Sequence, residues 1–322
     1  MMTVTRRHFL AGVAATAVGT VPQRAGAQTV PIPIIDTHIH LFDPTRPQGA
    51  PYSGPRAAGA APIAAYPDRY RKLAMPLGAV GAIKVEASPW VEDNLWVLEV
   101  AQRDTIIVGV IGNLEPDKPE FKEYFDRYRK HPLFRGIRYG NLWGRDIAKQ
   151  AENPAFIEGL KLLAEADMVL DTANPQMVLL ESMLKISDKV PNLRIVLDHL
   201  PNFEPTPAER PAYGAALKEF ARRPQIYVKL SAILRREDGN VSTDLNSYRD
   251  KLDLLVATFG EDRILFGSDW PNSDGVAPID QVFRIAKAYF ASKPRAVAEK
   301  YFWRNSVAAY KWIKREPAQP SI

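Results

Sequence analysis

The stretch "IIDTHIH", residues 34–40, decides how the chain is read. It opens with Ile34 and Ile35 and turns polar within a few residues, as a buried strand does where it emerges at the end of a sheet. Period-two alternation puts His38 and His40 on one side and Ile39 on the other. These are two of only five histidines in the chain. Two imidazoles on adjacent same-side positions are able to hold one metal ion, and they also occur as hydrogen-bonded strand ends. These seven residues alone leave both readings open.

Outward from this point, short apolar runs alternate with longer helical patterns. The spacing predicts strands over 34–40, 81–86, 106–112, 134–139, 168–172, 193–199, 225–230 and 263–267. Between and after them, apolar residues return every three or four positions over 91–103, 119–131, 153–166, 175–189, 211–223, 245–259 and the long run 279–312, the mark of one-sided helices. Eight strands each followed by helix predict an α/β fold, a single-domain, distorted (β/α)8 TIM barrel over residues 28–322. The rival, an open doubly wound sheet, lacks the glycine-rich first turn that would support it. Residues 43–77 escape the rhythm. Rich in proline and alanine, they follow the first strand directly and read as a long active-site loop over the barrel mouth, with Tyr52 and Arg56 as lining candidates.

In such a barrel the polar residues that end strands converge at one face. Strand one supplies His38 and His40, strand two Glu86, strand four Arg138, strand six Asp198 and His199, strand seven Lys229. Strand eight, "RILFGSDWPN" (263–272), supplies Asp269, with Trp270 and Pro271 shaping its exit. Imidazoles and carboxylates together hold a divalent ion and lower the pKa of its water. Asp269 is placed to take a proton from water, although an aspartate before Trp-Pro also starts a turn or caps a helix readily. Arg138 and Lys229 offer counter-charge to a substrate carboxylate or hydroxyl, the guanidinium being better suited to a planar carboxylate. Asp198 would orient an imidazole or bond to local amides.

The segments "DTHIHLFDP" (36–44), "GIRYG" (136–140), "LRIVLDHLPN" (193–202), "IYVKLSA" (226–232) and "RILFGSDWPN", with "YFWRNSVAAYKW" (301–312) at the end, resemble the amidohydrolase-related (amidohydrolase 2) branch of the amidohydrolase superfamily, above all its lactonase-like members. The resemblance implies a distorted barrel whose active-site set carries over to His38, His40, His199 and Asp269. It implies a hydrolase, with Asp269 and His199 catalytic; the strand-end and loop positions of Arg138, Lys229, Tyr52 and Trp270 place them at the small-molecule substrate, a lactone or carboxylate. The alternatives it leaves are a metal-dependent nonoxidative decarboxylase of an aromatic or unsaturated acid, and a non-catalytic periplasmic ligand-binding barrel. A divalent zinc or manganese ion would sit on His38, His40, Asp269 and Glu86; a metal-free site is the other form. The chain departs from many metal-binding members at strand five, where "MVLDTANPQ" (168–176) offers Asp171 and Thr172 in place of a histidine. His131 does not replace it, because it precedes strand four and so belongs to the opposite face.

The first residues carry a different message. "TRRHFL" (5–10), an apolar run and Ala25-Gly26-Ala27 read as a twin-arginine signal peptide over 1–27, implying the twin-arginine export machinery as a partner and the periplasm as destination. The run is too short and too rich in alanine and glycine for a stable membrane span. Three of the positives behind the formal charge of +5, namely Arg6, Arg7 and Arg24, lie there, leaving +2 for the mature chain. No basic block with interleaved aromatics follows, so nucleic acid is not an expected partner. The absence of cysteine excludes disulfides, thiolate ligands and cysteine nucleophiles.

Overall fold

Eight parallel strands come round in chain order, and the segment after the last one returns to the first. In the computed structural model these are β1 (Ile34–Ile39), β2 (Ala79–Lys84), β3 (Ile107–Gly112), β4 (Phe134–Tyr139), β5 (Val169–Thr172), β6 (Arg194–Leu197), β7 (Ile226–Lys229) and β10 (Ile264–Leu265). A two-residue-a-side hairpin, β8 (Arg236–Glu237) and β9 (Asn240–Val241), stands apart. The structure describes residues 1, 31–55, 61 and 63–321. The expected export segment beyond Met1, with Arg6, Arg7 and His8, and the loop residue Arg56 lie outside the described residues. Ile32–Ile322 form one compact unit.

Closure against β1 is made by backbone just beyond β10. Thr37 N donates to Phe266 O (3.0 Å), Asp269 N to His38 O (2.9 Å) and His40 N to Trp270 O (2.8 Å). The seam therefore runs through the very residues that carry the expected chemistry. Asp36 locks it: its Oδ1 accepts from Ser268 N (2.8 Å) and His38 N (3.1 Å), and its Oδ2 from the Tyr70 hydroxyl (2.9 Å). Burial pushes the Asp36 carboxyl up to about 6, against the pull of those hydrogen bonds. Gly267 is required for the same closure, because a Cβ there would stand 2.9 Å from the Cβ of His38.

One apolar cluster packs helices onto the outside of the ring. A second, with Ile35, Ile83, Val108, Val169, Val196 and Leu265, fills the inside and is closed by Trp303, Tyr310 and Trp312 from the C-terminal segment. That segment was expected to be one long helical run over 279–312. It divides into Ile279–Ala291, Arg295–Glu299, a π-turn Lys300–Arg304 and Asn305–Tyr310. Pro294, extended at φ −52° and ψ 143°, has no amide hydrogen to continue the first helix.

The segment 43–77 is not a single loop. Phe42 and Ala65 pair across its base, and Pro67–Ala74 is a helix of the outer ring, with a short 3-10 turn Met75–Leu77. Its prolines mask the periodicity, although Pro67 at the first turn suits a helix start. Among the described residues no helix is long and apolar enough to cross a membrane.

Candidate active site

Four functional side chains converge on one carboxylate oxygen. Asp269 Oδ1 lies 3.2 Å from His40 Nε2, 3.7 Å from His38 Nε2 and 3.9 Å from His199 Nε2. Asn272 Nδ2 donates to the same oxygen at 3.1 Å. Asp269 itself sits at φ 60° and His199 at φ 56°, left-handed conformations held by the loops after β10 and β6. The Asp269 side chain accepts no hydrogen bond from the backbone amides that follow it, so its carboxylate is left to the imidazoles and the Asn272 side chain rather than to a helix cap.

Each imidazole is fixed from behind. His40 Nδ1 donates to Val85 O (3.1 Å), which leaves the lone pair of Nε2 facing the site. His199 Nδ1 is 2.7 Å from Ser231 Oγ. His38 Nδ1 is 3.2 Å from Lys229 Nζ and 3.4 Å from Asp198 Oδ2, and its Nε2 is 3.3 Å from His40 Nε2. The Asp198 carboxylate stands beside His38 but hydrogen-bonds neither to it nor to any other group, so it meets the imidazole and Lys229 through charge alone. Ser231 is a residue the sequence reading missed; its signal was its place two positions beyond Lys229, on the same side of the chain.

Burial favours the neutral form of both His38 and His199 and lowers them from the ordinary imidazole value, with the Lys229 ammonium adding to the effect at His38. Burial alone would raise Asp269, but the surrounding imidazoles of His199, His40 and His38 outweigh it and hold the carboxyl well below the usual range. At neutral pH it is therefore ionised, the form that accepts a proton.

A cavity of about 440 Å³ opens above this cluster, lined by His40, Tyr52, Glu86, Arg138, Trp143 and Asn272 among others. Asp269 lies just below its wall, with 16% of its side chain exposed. The Tyr52 hydroxyl donates to Asn272 Oδ1, so a hydrogen-bonded chain runs from the cover segment to Asp269. Arg138 Nε donates to Thr172 O at 2.9 Å and stands 3.5 Å from Asp198, which aims the guanidinium into the cavity wall.

Two expected substrate contacts lie elsewhere. Lys229 is fully buried and absent from the cavity wall; its ammonium is taken by Asp171 Oδ2 (2.6 Å), Asp198 Oδ1 (3.0 Å) and His38. Trp270 is also fully buried, its ring 5.5 Å from that of Tyr70 and its carbonyl engaged in the seam. Glu86 does line the cavity, but Arg145 Nη1 takes its Oε1 at 2.9 Å and it stands outside the cluster formed by His38, His40 and Asp269. His131, before β4, accepts Leu133 N at 3.2 Å and plays no part at the mouth.

His38, His40 and Asp269 present donor atoms within 4.8 Å of one another, a nitrogen and oxygen set that suits zinc or manganese; His38, Asp198 and His199 form a second such group. The buried cluster is therefore compatible with a divalent ion. His40 is already in the tautomer a ligand needs.

Residues 35–312 match the family model described as "Amidohydrolase". An L-fucono-1,5-lactonase of Burkholderia multivorans is 28% identical over 309 residues, covering 89% of this chain and 98% of that protein. One from Burkholderia ambifaria is 25% identical over 242 residues, covering 74% and 80%. Among solved structures, an amidohydrolase from Burkholderia multivorans with bound zinc superposes with a TM-score of 0.76 at 24% identity, covering 87% of this chain and 100% of the other.

Proposed function

Because this chain belongs to the amidohydrolase family, we propose that it opens a lactone or related cyclic ester with a water activated by Asp269. The observation that carries this reading is the single oxygen Asp269 Oδ1, ionised and ringed by three imidazoles below a cavity of about 440 Å³. The two lactonase relatives support the substrate class. A cavity of that size suits one small ring with its substituents.

In the proposed reaction the Asp269 carboxylate takes a proton from water as the oxygen attacks the lactone carbonyl carbon. When Ser231 donates to Nδ1 of His199, the proton of that ring sits on Nε2, a donor for the developing oxyanion. Arg138 anchors a carboxylate or hydroxyl of the substrate from the cavity wall, and Tyr52 closes over it. Asp269 then returns its proton to the departing ring oxygen. A divalent ion bound by His38, His40 and Asp269 would polarise the carbonyl and acidify the water. The proposal includes delivery to the periplasm, supported by the twin-arginine pattern of residues 5–10.

Asp269→Asn keeps the shape and removes the base. Turnover of a panel of sugar lactones, followed by acid release, should fall by about 10²- to 10⁴-fold; wild-type turnover in this variant would sink the assignment. Carbon dioxide release from aromatic acids, with no acid release from lactones, would replace it with the decarboxylase reading.

A further inference from the structure

His38 lies between the imidazole cluster at the mouth and the buried Lys229 ammonium. The Lys229 ammonium donates to Asp171 Oδ2 at 2.6 Å and to His38 Nδ1 at 3.2 Å, while Asp198 Oδ1 stands 3.0 Å away as an ion-pair partner without a hydrogen bond. It has no route to solvent, since Lys229, Asp171 and Asp198 are all fully buried. Asp171 is held in turn by the Tyr310 hydroxyl at 3.0 Å. If His38 Nδ1 accepts from Lys229, a neutral His38 carries its proton on Nε2. That nitrogen faces His40 Nε2 at 3.3 Å, and His40 Nε2 is an acceptor because its Nδ1 donates to Val85 O. The Nε2 proton of His38 then lies between two acceptors, His40 Nε2 at 3.3 Å and Asp269 Oδ1 at 3.7 Å.

We propose that Lys229 is a positioning residue that holds His38 in the Nε2–H tautomer and so competes with a divalent ion for this histidine. A metal ligand needs the Nε2 lone pair. For His38 to provide it, the proton must move to Nδ1 and turn toward Asp198 Oδ2, 3.4 Å away, and the Lys229 N–H that points at Nδ1 must give up its acceptor. Metal entry and the Lys229–His38 hydrogen bond therefore exclude each other. A fixed internal cation close to His38 opposes the second cation as well. Lys229 sets how tightly the site holds metal and allows a metal-free form in which His38 donates a hydrogen bond toward His40 and Asp269.

The test uses chelator-treated protein and zinc alone. Nitrogen-15 NMR of histidine-labelled wild type should show His38 with a protonated Nε2 and a hydrogen-bond-accepting Nδ1, and zinc titration should convert it. Lys229→Met should bind zinc at least tenfold more tightly in competition with a chromophoric chelator, and its His38 signals should leave the Nε2–H pattern. Because Lys229→Met strands two buried carboxylates, Lys229→Met with Asp171→Asn is measured beside it and should show the same gain. A wild-type His38 protonated on Nδ1, or zinc affinity unchanged or weaker in the variants that fold, overturns the proposal. None of these readouts uses a lactone, so they stand or fall apart from the reading of Asp269 as the base.

Discussion

The imidazole cluster at the barrel mouth and the charged layer below it are built from similar residues and serve opposite ends. At the mouth, His40 and Arg138 border a cavity and Asp269 lies just below its wall, part of its side chain still exposed. Below, Lys229, Asp171, Asp198 and Tyr310 are sealed from solvent, with Lys229 and Tyr310 hydrogen-bonded to Asp171 and the Asp198 carboxylate held by charge alone. Removing a group from the first should cost rate and leave the fold; removing one from the second should cost the fold. The comparison breaks if the two sets respond alike.

The largest expected effect is on turnover. Asp269→Asn should lose about 10²- to 10⁴-fold in kcat while its denaturation midpoint stays close to wild type, because the carboxylate carries no helix amide and the seam uses only its backbone. A large loss of stability alongside the lost rate would move Asp269 from the first set to the second. Next comes Lys229→Met, expected to lower unfolding free energy by about 3 to 5 kcal/mol because two carboxylates lose a buried counter-charge. Adding Asp171→Asn should recover part of it. Denaturant titration of the two variants reads this directly, and an unchanged midpoint in the single variant would mean that the charged layer does not hold the fold together.

The pH dependence sharpens the same contrast. His38 and His199 are lowered from the ordinary value of 6.5, so their neutral forms persist as pH falls through that point, and Asp269 stays ionised below it. The acid limb of kcat/KM should therefore lie below pH 6.5. A limb centred at pH 7 or above would mean that these imidazoles are not lowered. Stability follows the same sign: groups that are neutral in the fold and protonate freely when unfolded cost stability as pH drops below 6.5.

Much of this was legible in the chain. Each barrel strand is a short apolar run bounded by turn residues, and such runs announce themselves without their neighbours; "RILFGSDW" placed Asp269 just past a strand, and "DTHIH" placed two imidazoles on one side. What the chain hid depends on distant partners. A lysine ending a strand reads as a substrate cation until Asp171 and Asp198 are seen to consume it. Trp270 reads as a pocket wall until Tyr70, two hundred residues earlier in the chain, is found against its ring. The helix Pro67–Ala74 is too short and too closely flanked by proline for periodicity to reveal. Asp36 gave no sign that it would tie Ser268 and Tyr70 together, because neither lies near it in sequence.

The smallest expected effect tests where the mouth ends. Tyr52 hydrogen-bonds to Asn272, whose amide donates to Asp269 Oδ1, and its ring meets that of His40 at 6.2 Å. Tyr52→Phe keeps the ring and removes one hydrogen bond, a loss of about 1 kcal/mol. If the cover serves mainly to hold substrate, KM should rise about fivefold with kcat nearly unchanged. If the tyrosine acts through Asn272 on the orientation of the base, the loss should fall on kcat. The split between the two constants therefore decides whether residues 43–55 belong to the binding wall or to the machinery around Asp269, a distinction that distance alone does not draw.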